Sequence, residues 1–231
     1  MRCATGRRSG RRPDAVSGAL AELFSSKVRA AVLGHVLARP RQAFGLTDLS
    51  RALGLPVSSL QHECYKLERL GVLAAARTGG TRRYRPDPAF SLLAPLAALV
   101  LRDLGPAVAL PAAFEDIEPA GIAALFLAGD PLANGPAPTL VVVGDLPLER
   151  LEDLESRGQD AVSALGGRQP ELGYFRRRDW DARIAAGDPL AAELRAAPRI
   201  DLLPAPPDEL AGGRRPAPID GTLGAALATP D

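Results

Sequence analysis

Cysteine, aromatic side chains, lysine and long apolar runs are all scarce in this chain, and most of these shortages close a class of function. Two cysteines, Cys3 and Cys64, are too few for a disulfide framework or a four-cysteine zinc site. Aromatic residues make up 4% of the chain, too few to build a surface that stacks successive unpaired bases. No run of about 18 apolar residues exists, so no membrane-spanning helix and no membrane partner are expected. The arginine pairs Arg7-Arg8 and Arg11-Arg12 stand where an export signal would begin. The stretch after them, Ala15 to Phe24, is broken by Glu22 and soon followed by Lys27 and Arg29, which makes a poor apolar signal core. A cytoplasmic location is therefore expected. Lysine occurs only at positions 27 and 66, so nearly all positive charge is guanidinium.

The chain has 231 residues, 46% of them hydrophobic and 24% charged, the balance of a globular protein with one large or two small domains. Its net charge of +1 hides an asymmetry. Residues 1–90 carry 16 Lys or Arg against 6 Asp or Glu, a net of +10. Residues 91–231 carry 12 against 21, a net of −9. A basic front block suits a polyanion, above all nucleic acid. Five segments follow: an Arg- and Gly-rich arm at 1–13, expected to be disordered; a patterned block at 14–90; an apolar stretch at 91–118; a second patterned block at 119–203; and a flexible Pro-, Gly- and Ala-rich tail at 204–231.

Within the first block, Ser25 or Ser26 can cap a helix carrying Val28, Val32, Leu33 and Val36, which Pro40 ends. Thr47 is the expected N-cap of a short helix whose buried side is Leu49, Ala52 and Leu53. Gly54-Leu55-Pro56 is a tight turn. A third helix is expected from Val57 to Leu70, with Val57, Leu60, Cys64, Leu67 and Leu70 on its apolar face. Ser58, His62, Tyr65 and Arg69 lie opposite, flanked by Ser59, Gln61 and Lys66. Gly71 ends it. Val72 to Arg77, a Thr78-Gly79-Gly80-Thr81 turn and Arg82 to Arg85 then read as a hairpin. Helix, short helix, turn, helix and basic hairpin is the order of a winged helix-turn-helix, whose second motif helix enters the major groove. Ser58, Ser59, Gln61, His62, Tyr65, Lys66 and Arg69 are the expected DNA-reading residues. The hairpin, with Arg77, Arg82, Arg83 and Arg85, is expected on phosphate or in the minor groove.

Leu23-Phe24-Ser25-Ser26-Lys27-Val28, Leu46-Thr47-Asp48-Leu49, Gly54-Leu55-Pro56-Val57-Ser58-Ser59-Leu60, Leu67-Glu68-Arg69-Leu70-Gly71-Val72 and Arg82-Arg83-Tyr84 resemble the ArsR-like winged-helix transcriptional regulators. The likeness is greatest to the subgroup that carries a nucleotidyltransferase-like domain behind the winged helix. The resemblance implies a homodimer, formed by helices outside the reading head. The candidates are the helix that follows Ser26 and the stretch Leu92 to Leu104, which would otherwise be core against the rear block. Metal-sensing members carry closely spaced cysteines on the helix before the reading helix. Here Thr47 to Leu53 holds no thiol, and Cys64 and His62 are two apart on one helix and point away from each other. No metal and no cofactor are expected, and no small-molecule effector is identified.

In the second block, Ile122–Leu127, Leu140–Val143 and Leu172–Phe175 read as strands. Helices are expected over 148–165, 179–186 and 189–196. The fold class is therefore α/β, or α+β overall: a winged helix-turn-helix joined to a small mixed-sheet unit. The order is similar to a minimal nucleotidyltransferase. Active members hold phosphates on Gly-Ser and a helix N-terminus after the first strand, and hold two magnesium ions on paired aspartates. Gly129 matches the glycine, Asp130 replaces the serine, and Ala137 and Thr139 stand at the aspartate positions. Gly129 and Asp130 thus read as a vestigial nucleotide loop and the domain as catalytically degenerate. The alternatives are a nucleotidyltransferase enzyme targeted by its winged helix, and a nucleotide or ligand sensor without turnover.

Overall fold

The structure is a computed structural model and describes residues 16–203. The arm at 1–13 and the tail at 204–231 lie outside the described residues.

Ser17 caps a short helix, α1 (Gly18–Leu23), through its hydroxyl and the Leu20 amide. This helix is not expected from the sequence, because one buried side chain, Leu20, gives no periodicity. Ser26 caps α2 (Lys27–Leu37), where its Oγ accepts from the Arg29 amide at 3.1 Å. Ala30, Val32, Leu33, Gly34, Val36 and Leu37 of α2 are all buried, so this helix is central. That placement corrects its expected role as a dimer surface.

A two-residue strand, β1 (Phe44–Gly45), leads into α3 (Leu46–Leu53). The N-cap is Gly45, not Thr47. Asp48 reaches back to accept from the Gly45 amide at 3.1 Å, the carboxylate half of a capping box. Leu49 is buried and Leu53 half-buried, while Ala52 is exposed, so the buried side is narrower than expected. Gly54 takes a left-handed conformation at φ 67° and turns the chain. The Ser50 hydroxyl holds that turn by donating to the Leu55 carbonyl at 2.7 Å.

The helix expected to read DNA is α4 (Val57–Arg69). Leu60, Cys64 and Leu67 are buried, but Val57 and Leu70 are exposed. The expected five-residue face fails at its ends because Leu70 has drifted off it and lies past the last helical residue, while Val57, in line with Cys64, is the first residue of the helix. The hairpin is β2 (Leu73–Thr78) and β3 (Thr81–Pro86), with Thr78 opposite Thr81. Gly79 and Gly80 both have positive φ, as a two-residue hairpin turn of the mirror-image kind requires. β3 lies between β1 and β2.

The apolar stretch forms α5 (Leu93–Leu104) and α6 (Pro106–Ala113), bent by 119° at Gly105. No single helix among the described residues is long and apolar enough to cross a membrane. α5 packs on α2, and α6 packs on the rear sheet. The stretch is therefore core, although Leu92 and Leu99 stay exposed.

The rear block contains β4 (Ile122–Ala128), β5 (Thr139–Gly144), α7 (Leu148–Ala164), β6 (Glu171–Phe175), α8 (Arg177–Ala185), α9 (Pro189–Ala196) and β7 (Arg199–Asp201). The sheet order is β6-β5-β4-β7. The β5–β6 pair is parallel and the others antiparallel, a mixed sheet in an α+β fold. Alternation along the strands divides the side chains between two faces. Leu125, Leu127, Leu140 and Val142 join a cluster that runs without a break through Leu110, Val100 and Leu33 to Leu60. Phe126, Val141 and Val143 meet Trp180 and Leu194 on the other face.

Candidate nucleic-acid interface

The outward stripe of α4 is polar, as its spacing predicts. Ser58, Gln61, His62, Tyr65 and Arg69 are exposed, and Ser59 and Lys66 are half-buried on one flank. Leu60, Cys64 and Leu67 hold the inner side against α2, α3 and the hairpin. Burial among these groups pushes the Cys64 thiol up to about 12, so it behaves as a small apolar core residue.

Glu63, a buried carboxylate on α4, has no counterpart in the sequence reading. The Arg29 guanidinium on α2 donates to it at 2.9 Å, and Lys66 lies 3.6 Å away. Arg29 also donates to the Phe24 carbonyl. A buried carboxylate needs such partners to remain charged. The pair ties the roll of the reading helix to the central helix. An alternation of acid and base at positions 29 and 63, thirty-four residues apart, leaves no local sequence signal.

Not all the front arginines face solvent unpaired. Arg82 grips both carboxylate oxygens of Glu68 and sits 5.8 Å from the Tyr84 ring centroid. Arg83 donates to Asp48 at 3.0 Å and to the Ala43 carbonyl at 3.0 Å. Arg39 is buried and bidentate on Glu115, and Arg41 meets Asp153 at 2.7 Å and Asp160 at 3.2 Å. Lys27, Arg51, Arg69, Arg77 and Arg85 are exposed and have no carboxylate partner among the described residues. Arg69 ends the α4 stripe, and Arg77 and Arg85 lie on the hairpin. The structure therefore sets a polar helix face beside a hairpin with free guanidinium groups, Arg77 on the hairpin face that carries Arg82 and Arg85 on the opposite face.

In the rear block, β4 and β5 bring Ala128 opposite Thr139, and Thr139 is paired with Glu171 on β6. Gly129, Asp130, Thr139 and Glu171 thus meet at one end of the sheet. Residues 129–138 form a loop with no helix, and Asp130 spends one oxygen on the Leu132 amide at 2.9 Å. No group of three or more His, Cys, Asp or Glu among the described residues is arranged to hold a metal ion. A hollow of about 240 Å³ opens at the opposite end, beside Gly121, Ile122, Gly144, Asp145 and Arg177. There the parallel strands β5 and β6 end, a place where open α/β sheets take ligands.

No family model matches the chain, and no curated protein matches it. A crystal structure of the AntR antimony-specific transcriptional repressor is similar, with 26% identity over 45% of this chain and 88% of that one, at a TM-score of 0.24. A TM-score that low supports no inference about fold or function.

Proposed function

We propose that the chain is a sequence-specific, double-stranded DNA-binding transcriptional regulator and not an enzyme. One observation carries this reading: the exposed Ser58–Gln61–His62–Tyr65–Arg69 face of α4 stands beside a hairpin with free Arg77 and Arg85. A helix of this diameter fits the major groove, where base edges are distinguishable. Flanking guanidinium groups would fix position on phosphate. Exposed Leu23 on α1 and Leu92 and Leu99 at α5 supply apolar surface for a homodimer, which would read two half-sites about one helical turn apart.

Selection of bound duplexes from a random pool, followed by titration at several salt concentrations, tests the reading. With about six phosphate contacts per dimer, log K should fall against log salt with a slope near −5. A flat dependence, or no binding to any duplex, overturns it.

The hollow beside Arg177 favours a second role for the rear block, sensing a ligand without turnover. The loop at Gly129 and Asp130, with Ala137 and Thr139 behind it, supports a degenerate nucleotidyltransferase-like unit. Thermal melting with ATP, GTP and magnesium separates these readings. A ligand at 100 times its Kd raises stability by about 2.7 kcal/mol, and magnesium-dependent transfer of labelled nucleotide would restore the enzyme reading.

A further inference from the structure

Adjacent residues of β3 point to opposite faces of the hairpin, and here both grip a helix of the reading head. Arg83, beside Gly45 in the sheet, reaches Asp48 at the start of α3. Arg82 reaches Glu68 on the last turn of α4 with one nitrogen shared between both oxygens. Glu68 lies on the flank of α4 between its buried side and its outward stripe, about 80° from Ser58 around the helix. Its carboxylate is half-buried against the hairpin. Across the hairpin, Arg82 is paired in register with Arg77. Two like charges directly opposite repel. Glu68 neutralises Arg82 and leaves Arg77 the free cation of the pair.

From this geometry we infer that Arg82 is a positioning residue, which holds the hairpin to the reading helix through Glu68, and that phosphate contact on the hairpin falls to Arg77 and Arg85. The inference rests on the DNA-binding reading and refines it. A guanidinium held by a carboxylate must give up that partner before it can meet a phosphate, whereas Arg77 and Arg85 give up only water. Nothing lies within 4 Å of a β-carbon built at Gly79 or Gly80, so the hairpin tip stands in open space. Buried Leu73 and Tyr84 anchor the base of the hairpin in the core, and the ion pair that ties its outer half to α4 is Arg82 on Glu68.

The test uses the full chain and its selected duplex, with affinity measured across a salt series. R77A and R85A should each make the salt slope shallower by about one unit per lost contact. R82A and E68Q should each weaken binding about tenfold, by similar amounts, and leave the slope unchanged. R82K should lose less affinity than R82A, because one ammonium nitrogen can also be shared between both Glu68 oxygens. The exchange R82E with E68R should recover most of the affinity. All four side chains are at the surface or its edge, and circular dichroism melts should stay within a few degrees of the wild type. Arg82 is a phosphate contact after all if R82A flattens the slope as R77A does, or if E68Q tightens binding. Failure of the charge exchange to rescue, with wild-type binding intact, overturns the positioning role alone. A wild-type chain that binds no duplex overturns the functional reading, and the positioning role falls with it.

Discussion

Gly144 closes β5 with its α-carbon against the Gly121 carbonyl, and a β-carbon there would lie 2.1 Å from that oxygen. The obstacle is backbone, so it cannot rotate away. Gly144→Ala should destabilise the fold by about 1–3 kcal/mol or more, read as a lower midpoint in urea. Gln61 tests the opposite property. It is exposed on α4 and owes nothing to the core. Gln61→Ala should leave the unfolding midpoint unchanged and cost about 1–3 kcal/mol of discrimination at particular base pairs. Titration against the selected duplex and a scrambled one measures this. Equal losses on both would remove Gln61 from the reading surface. Single residues were legible in the sequence to different degrees. Ser58, His62, Tyr65 and Arg69 could be placed because a helix repeats every 3.6 residues and its apolar side is explicit. Glu63 could not, because its burial depends on Arg29 arriving from another helix. Nor could the pairing of Arg82 and Arg83, since a basic run looks the same whether it meets solvent or carboxylates.

At the scale of elements, α2, α3, α4 and the hairpin were readable because each carries its own punctuation. Ser26, Gly54 and Gly71 stop or start a helix, and Gly79-Gly80 folds the hairpin. The elements missed lack such marks. α1 buries one leucine, β1 has two residues and β7 has three. The face of α5 was ambiguous for a related reason. Leu92, Leu93, Leu96, Leu99 and Val100 share one arc of the helix, but Ala94, Ala97, Ala98 and Leu101 make the rest apolar too, so pattern alone does not say which side the core takes. In the structure the core takes Ala97, Val100 and Leu101, and Leu99 remains 46% exposed. Leu99→Glu should therefore spare the fold and weaken self-association. Sedimentation velocity should show a shift toward monomer with an unchanged melting profile. A dimer that persists would move the homodimer surface elsewhere.

Across the whole molecule, the acidic rear half does more than balance charge. Its carboxylates receive two arginines of the front block, Arg39 on Glu115 and Arg41 on Asp153 and Asp160. Next to these, Asp116 accepts from the buried Arg157 at 2.5 Å, and Arg157 also donates to the Ala113 carbonyl. Burial alone would raise the Asp116 pKa, but the Arg157 guanidinium outweighs it and holds the carboxyl below its ordinary value. A carboxylate depressed in the folded state contributes stability above its unfolded pKa of about 3.9, and loses it as pH falls from there through the folded value. Stability should thus decline in that acid window. Asp116→Asn should flatten the decline and lower stability near neutrality by no more than about 1 kcal/mol, since the carboxylate is 39% exposed and screened and Arg157 keeps the Ala113 carbonyl. Urea unfolding at a series of pH values checks both effects. An acid limb as steep in the variant as in the wild type would assign the acid sensitivity to other carboxylates.

The unbroken apolar cluster that passes through α5 and α6 has a consequence for how this chain can be cut and recombined. α5 walls one side of α2, while Leu110 and Phe114 at α6 wall one face of the rear sheet. A boundary drawn at residue 90 or at residue 119 looks natural from composition, yet each strips one half of a wall it does not encode. The front 90 residues, transplanted as a cassette, would carry a bare strip along α2 at Gly34, where Leu104 of α5 otherwise packs. Fragments ending at residue 90 should partition into the pellet, and those ending at residue 118 should carry an uncovered α6 instead. Swapping front blocks between proteins of this build would then succeed only where the breakpoint falls outside both helices and the grafted sheet offers α6 the same floor of leucine and valine.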